Sequence, residues 1–242
     1  MTSVLGFRDA ILIVYDNLGG VVSVNLLWVV CALPWLSIAV VITTYGDGIQ
    51  GQWASYVGVI AFLLAVQFLW FGPPTVLLFL ASKRWLAGHP AYLSSLIREL
   101  PKFAIRVQLV GFSLMAVTCI IMVNIFFYQR MGGSLGAILS GFMGWILLGL
   151  GLMSLYLLPT LIGEDLTIFA ACRRSAILVF TNLLRSVVLL IIVVTLLVLG
   201  VVTGIGFLCG VLSLIAFTET IWVRVGTRAF SRPIAESLTK PS

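Results

Sequence analysis

Glu219 is the residue whose type and setting most suggest chemistry. It stands in IAFTETIWVRV, Ile215–Val225, inside a long apolar run. A carboxylate at membrane depth is costly, and such groups are functional candidates by default. Its structural alternative is to reach the nearby interface or to pair with Arg224 or Arg228. Asn25 is the second polar candidate inside a run; like Gln67, Gln108 and Asn124, it suits hydrogen bonding between helices. A third concentration lies in LPTLIGEDLTIFAACRRS, Leu158–Ser175, where Glu164 and Asp165 precede Arg173 and Arg174. Adjacent acids point in different directions on a helix, so they do not make an acid–base pair. The single histidine, His89 in AGHP, suits a solvated position or a cap. Cys31, Cys119, Cys172 and Cys209 lie on separate apolar segments without a CxxC and read as small buried hydrophobes. No HExxH, GxSxG or phosphate-binding glycine loop occurs, so the sequence points to no catalytic residue, metal or cofactor.

What must position these residues follows from composition. The chain of 242 residues is 61% hydrophobic and 9% charged. A soluble domain is about half apolar and about a quarter charged, so this chain belongs with polytopic membrane proteins. Its 14 Lys and Arg exceed its 8 Asp and Glu. No basic stripe with interleaved aromatics accompanies that excess, which excludes nucleic acid as a partner and leaves loop orientation as the use of the cations. Arg8, Asp9 and Asp16 interrupt the amino-terminal region, which does not resemble a cleaved signal.

A membrane helix needs about 20 apolar residues to cross about 30 Å of hydrocarbon. On that basis spans are expected near 21–44, 56–82, 104–128 and 135–162. The last apolar stretch, 186–223, would be about 57 Å long as one helix. Its middle, GVVTGIGFLCG, permits a turn, so it is expected as two spans near 186–201 and 205–223. Six spans then put every Lys and Arg except Arg130 on the side of both termini. The positive-inside rule makes that side the cytoplasm, and a bacterial-type inner (plasma) membrane is the expected location.

The expected fold is therefore all-α: six transmembrane helices in a single domain, with two cytoplasmic elbow helices lying in the interface. The first elbow is PAYLSSLIREL, residues 90–100, with Pro90 at its first position and Pro101 ending it. The second follows 163, with Glu164 and Asp165 at its start and Arg173 and Arg174 near lipid headgroups. Each follows a span bearing Pro-Thr, at Pro74-Thr75 and Pro159-Thr160, which suggests a parallel internal repeat. Small residues recur every four positions, as in Gly136, Ser140 and Gly144, and again in Gly200 and Gly204. Such rows allow close helix packing, within the chain or against a partner subunit. Trp53, Trp85 and Trp222 sit near span boundaries as expected of interface anchors.

Two stretches, NLLWVVCALP at Asn25–Pro34 and GPPTVLLFLASKRWLAG at Gly72–Gly88, resemble the YesL-like family of small integral membrane proteins. That family carries an NLLW…LP signature, then a T-x-G-P-A-x-x-A-L pattern leading to a basic exit. The acidic start followed by alanines and arginines after 163 is similar as well. Here an extra apolar segment and the loop YGDGIQGQW separate the two proline motifs, which lie close together in the family. The resemblance implies a membrane protein without an established biochemical activity, linked by gene neighbourhood to carbohydrate uptake.

Functionally, few polar groups in the spans and short loops point to a noncatalytic accessory or assembly subunit. Its expected partners are the lipid bilayer and the protein subunits of a membrane complex. The alternative is a small-solute transporter or permease component, suggested by the doubled unit and Glu219.

Overall fold

The computed structural model describes residues 12, 15–45, 67, 70–203 and 211–238. Every regular element among them is helical: α1 (Leu18–Tyr45), α2 (Pro73–Trp85), α3 (Leu93–Met131), α4 (Gly133–Leu158), a π-helical turn (Pro159–Gly163), α5 (Ile168–Thr181), α6 (Leu183–Thr203) and α7 (Val211–Leu238). Three of the described helical segments, Leu93–Met131, Gly133–Gly163 and Leu183–Gly200, are long and apolar enough to cross a membrane. These place the chain among helical membrane proteins. Most of the expected span 56–82, and Gly204 within the last small-residue row, lie outside the described residues. The apolar stretch 186–223 is carried by two helices, α6 and α7.

α2 is the centre of the bundle. Every residue from Pro74 to Ser82 is buried, enclosed by α1, α3, α7 and the π-turn. A helix apolar all round has no solvent face to offer and is stable only when wrapped. Its charges therefore collect at its carboxyl end, where Lys83 and Arg84 also oppose the negative end of the helix dipole. Trp85 is buried too, its ring stacked on Phe217 of α7 at 5.5 Å and its edge filling the space over Gly20. It is thus a core residue and not the interface anchor that its position near a span boundary suggests.

α3 corrects the first elbow. No separate helix covers 90–100; Pro90 precedes the helix, and α3 runs unbroken through Pro101. An internal proline removes one backbone hydrogen bond and strains the preceding turn. Leu96 and Phe103, both buried against the core on either side of Pro101, hold the two segments in one rod. At 39 residues α3 is about 58 Å long, so its charged first turns extend beyond the hydrocarbon. α3 and α4 form an antiparallel hairpin through Gly132 and Gly133, whose φ values of +66° and +69° suit glycine. Gly136 then lies so close to the Tyr128 carbonyl that a Cβ would sit 2.4 Å from it.

The π-turn has a local cause. Pro159 cannot donate to the carbonyl one turn back, and the helix widens around it. The Thr160 hydroxyl folds back on the same turn, within reach of the Tyr156 carbonyl at 2.8 Å and the Leu157 carbonyl at 3.0 Å. The two Pro-Thr units consequently fold differently: Pro74-Thr75 opens α2, whereas Pro159-Thr160 lies in the π-turn after α4.

Glycine at 111 and at 141 should respond oppositely to alanine. A Cβ on Gly111 would lie 2.6 Å from Phe71 Cβ and 2.7 Å from Gln67 Nε2; on Gly141 it would meet nothing. Overpacking costs about 1–3 kcal/mol, while alanine gains about 1 kcal/mol over glycine in a helix. Gly111→Ala should lower the Tm of the detergent-solubilised protein, and Gly141→Ala should leave it unchanged or raise it.

Candidate functional site

Two polar groupings stand out against the apolar bundle: one buried around Glu219, and one at the basic ends of α2 and α3.

Glu219 is 2% exposed on α7, among residues of the second hydrophobic cluster, which includes Ile215 and Val223 of the same helix. Its Oε1 has no hydrogen-bond partner, and the ion pairs among the described residues do not include it. Of its two expected partners, Arg224 does not pair with it and instead donates to the Leu86 carbonyl at 3.4 Å, and the Arg228 side chain lies outside the described residues. One turn along α7, Trp222 Nε1 is also buried without an acceptor. Tyr156 of α4 lies within electrostatic reach of Glu219, and its hydroxyl is 3.0 Å from Ser186 Oγ. Ser186 in turn donates to the Asn182 carbonyl, so Tyr156 serves as the donor in that pair. An unsatisfied acceptor and an unsatisfied donor thus share one face of a helix in a dry interior, where each is expensive.

Asn25, fully buried, donates to Ser213 Oγ at 2.6 Å and to the Val21 carbonyl at 2.7 Å, tying α1 to α7. Trp28 Nε1 donates to Thr75 Oγ1 at 3.0 Å, tying α1 to α2. Gln67 donates to Gln108 at 2.9 Å. Asn124 bonds only within its own helix, to the Ile120 carbonyl. These are mostly the helix-to-helix bonds expected from residue type. They do not bring Asn25 and Glu219 into one site: Asn25 meets the first hydrophobic cluster through Val21 and Val24, whereas Glu219 faces the second.

The basic grouping is built around Asp165. Asp165 and Glu164 do not start α5, whose N-cap is Thr167; they fill the link between the π-turn and that helix. Their partners are therefore side chains and not a helix terminus. Lys102 and Arg106 of α3 both reach Asp165, the latter at 3.4 Å. Lys83 donates to the Ile162 carbonyl at 3.0 Å, and Lys83 and Lys102 lie over the Phe103 ring at 5.9 and 5.0 Å. Asp165 occupies a left-handed backbone conformation, φ 51°, which aspartate tolerates better than most residues. The Lys102 hydrogen bond, helped by the charges of Lys102, Arg106 and Lys83, holds the Asp165 carboxyl below its ordinary value. Glu164 approaches Arg174 Nε at 2.7 Å as a charge contact without hydrogen-bond geometry. Arg84 pairs with Glu99 at 2.5 Å and reaches Ser95. Arg173 is exposed.

Sequence reasoning counted Lys83, Lys102 and Arg106 as orienting cations and did not foresee that they converge. It did not single out Tyr156 or Ser186, although a tyrosine within an expected span was a usable signal. His89 is exposed, and no group of residues able to hold a metal occurs among those described. The small-residue row divides. Gly136 packs inside the hairpin, and the Ser140 hydroxyl turns back to the Ala137 carbonyl. Gly144 faces open space, and Gly200 is buried. Comparison with known proteins gave no match among family models, curated proteins or solved structures. The YesL-like resemblance accordingly rests on the quoted residues alone.

Asp165 has a defined pH signature. Because its folded-state value is depressed, the stabilisation it provides is present at neutral pH. It fades as pH falls below the unfolded-state value of about 3.8 and through the lower folded one. Asp165→Asn should therefore melt below the wild type at neutral pH, and the gap should close on acidification past that value. A Tm series against pH checks this.

Proposed function

We propose that the protein is a noncatalytic accessory or assembly subunit of a larger membrane complex, of YesL-like type. It would cross a bacterial-type inner membrane six times, with both termini in the cytoplasm. One observation carries this reading: α4 presents Gly141, Gly144, Gly149 and Gly151 with nothing within 4 Å of where a Cβ would stand. Glycines weaken a helix, and within a membrane their main return is close backbone approach to a neighbour. Among the described residues the fold supplies no such neighbour at these four positions. Exposed Ile138, Phe142 and Trp145 on the same helix add apolar surface that lipid or a partner helix can cover.

Glu219 favours a second reading, a small-solute transporter or permease component, because a buried carboxyl with an unpartnered oxygen is a costly feature for a purely structural subunit. The carbohydrate association implied by the family resemblance belongs with this reading.

Solubilisation in mild detergent should bring down stoichiometric protein partners. Gly141→Leu combined with Gly144→Leu should release them without lowering the Tm of the isolated chain, since a Cβ at either position meets no described neighbour. Recovery of the native chain as a lone monomer would sink the subunit reading. In proteoliposomes, solute flux abolished by Glu219→Gln would favour transport instead. A reporter fused after Lys240 should face the cytoplasm, and a tag within Gly46–Gln52 should face outward.

A further inference from the structure

The cations around Asp165 outnumber the acid they share. Lys83, Lys102 and Arg106 all act on its carboxyl, and the neighbouring acids are engaged elsewhere, Glu99 with Arg84 and Glu164 with Arg174. Lys102 and Arg106 retain side-chain exposures of 52% and 42%, so their remaining donors are accessible. Lys83 spends one ammonium proton on the Ile162 carbonyl and keeps two. The grouping therefore carries more positive than negative charge and keeps unspent donors on Lys83, Lys102 and Arg106.

Its position on α3 supplies the second observation. Lys102, Ile105, Leu109 and Phe112 follow at spacings of three, four and three, which aligns them along one helix face. The three hydrophobic members are 69%, 55% and 48% exposed. From Lys102 to Phe112 the rise is about 15 Å, half of the hydrocarbon thickness of about 30 Å. A chain of lipid length lying on this stripe ends at the cations.

We propose that Lys83, Lys102 and Arg106 bind the phosphate of an anionic phospholipid whose acyl chain lies along Ile105, Leu109 and Phe112. Asp165 then competes with the lipid phosphate for the same cations, and the phosphate supplies the charge that a single carboxylate leaves unmatched. The site would take a phosphate diester with an adjoining apolar tail; an isolated phosphate satisfies only half of it. This goes beyond the subunit reading and is independent of it, because it requires only that α3 lie in a bilayer.

The experiment uses the full chain in a nonionic detergent, with Tm and native mass spectrometry read during titration with phosphatidylglycerol, phosphatidylcholine of the same acyl chains, or inorganic phosphate. Phosphatidylglycerol should raise Tm and remain bound, and the other two should not. Lys102→Gln with Arg106→Gln should weaken phosphatidylglycerol binding about thirtyfold, the loss expected for two interfacial cations. Asp165→Asn, which removes the competing carboxylate and suits the left-handed backbone, should bind phosphatidylglycerol more tightly than the wild type. Equal binding of the two lipids, or full replacement of phosphatidylglycerol by inorganic phosphate, overturns the proposal. So does unchanged binding in the double variant. If that variant does not fold, the Asp165→Asn comparison decides: unchanged or weaker binding overturns the proposal.

Discussion

The rest of the structure depends on the enclosure of α2. A helix with no polar face can exist only when other helices cover it from every side, and α1, α3, α7 and the π-turn do so. This requirement brings the amino-terminal half of the chain against its last helix, through Trp85 on Phe217 and Asn25 on Ser213. It also forces the α2 charges to one end, where they meet the first turns of α3 and the link after the π-turn.

The basic grouping is thus a consequence of packing as well as of membrane topology. Lys83 leaves the core beside Ile162, and α3 must pass the same point to cover α2. The Asp165 link follows directly from the π-turn that packs on α2. Three segments distant in sequence then place their charges together because one apolar helix must be wrapped. The strained φ of Asp165 fits this picture, since the link has few residues in which to turn while keeping its carboxylate on Lys102 and Arg106.

Glu219 belongs to a different environment. α7 lies between the two hydrophobic clusters: Leu212, Ala216 and Phe217 face the first, and Ile215 and Val223 the second. Glu219 falls on the side of the second, beside Tyr156 and away from the cations that gather around Asp165. Its nearest basic neighbour in sequence, Arg224, is drawn instead to the end of α2. Among the described residues the carboxyl is therefore left without a neutralising charge, and Trp222 Nε1 nearby is also without an acceptor.

Much of the architecture was legible in local properties. Hydrophobic length marked spans near 104–128, 135–162 and 186–201, which fall within the long apolar helices at 93–131, 133–163 and 183–200, and polar residues in apolar runs marked Asn25, Gln67 and Glu219 as lying at membrane depth. Those features depend on residue type alone. Other outcomes depended on what lies across the interface. Pro101 was expected to end a helix, yet buried Leu96 and Phe103 carry α3 through it. Glu164 and Asp165 were expected at a helix start, yet cations from α3 and α5 take them up. The glycines of α4 looked equivalent, yet among the described residues only Gly136 meets another backbone. By itself the sequence determined that the chain is helical, apolar and charged at one set of ends, because burial and propensity are summed along the chain. Only the tertiary structure decided which charges meet, which prolines break a helix and which small residues stay uncovered, because these are settled by neighbours distant in sequence.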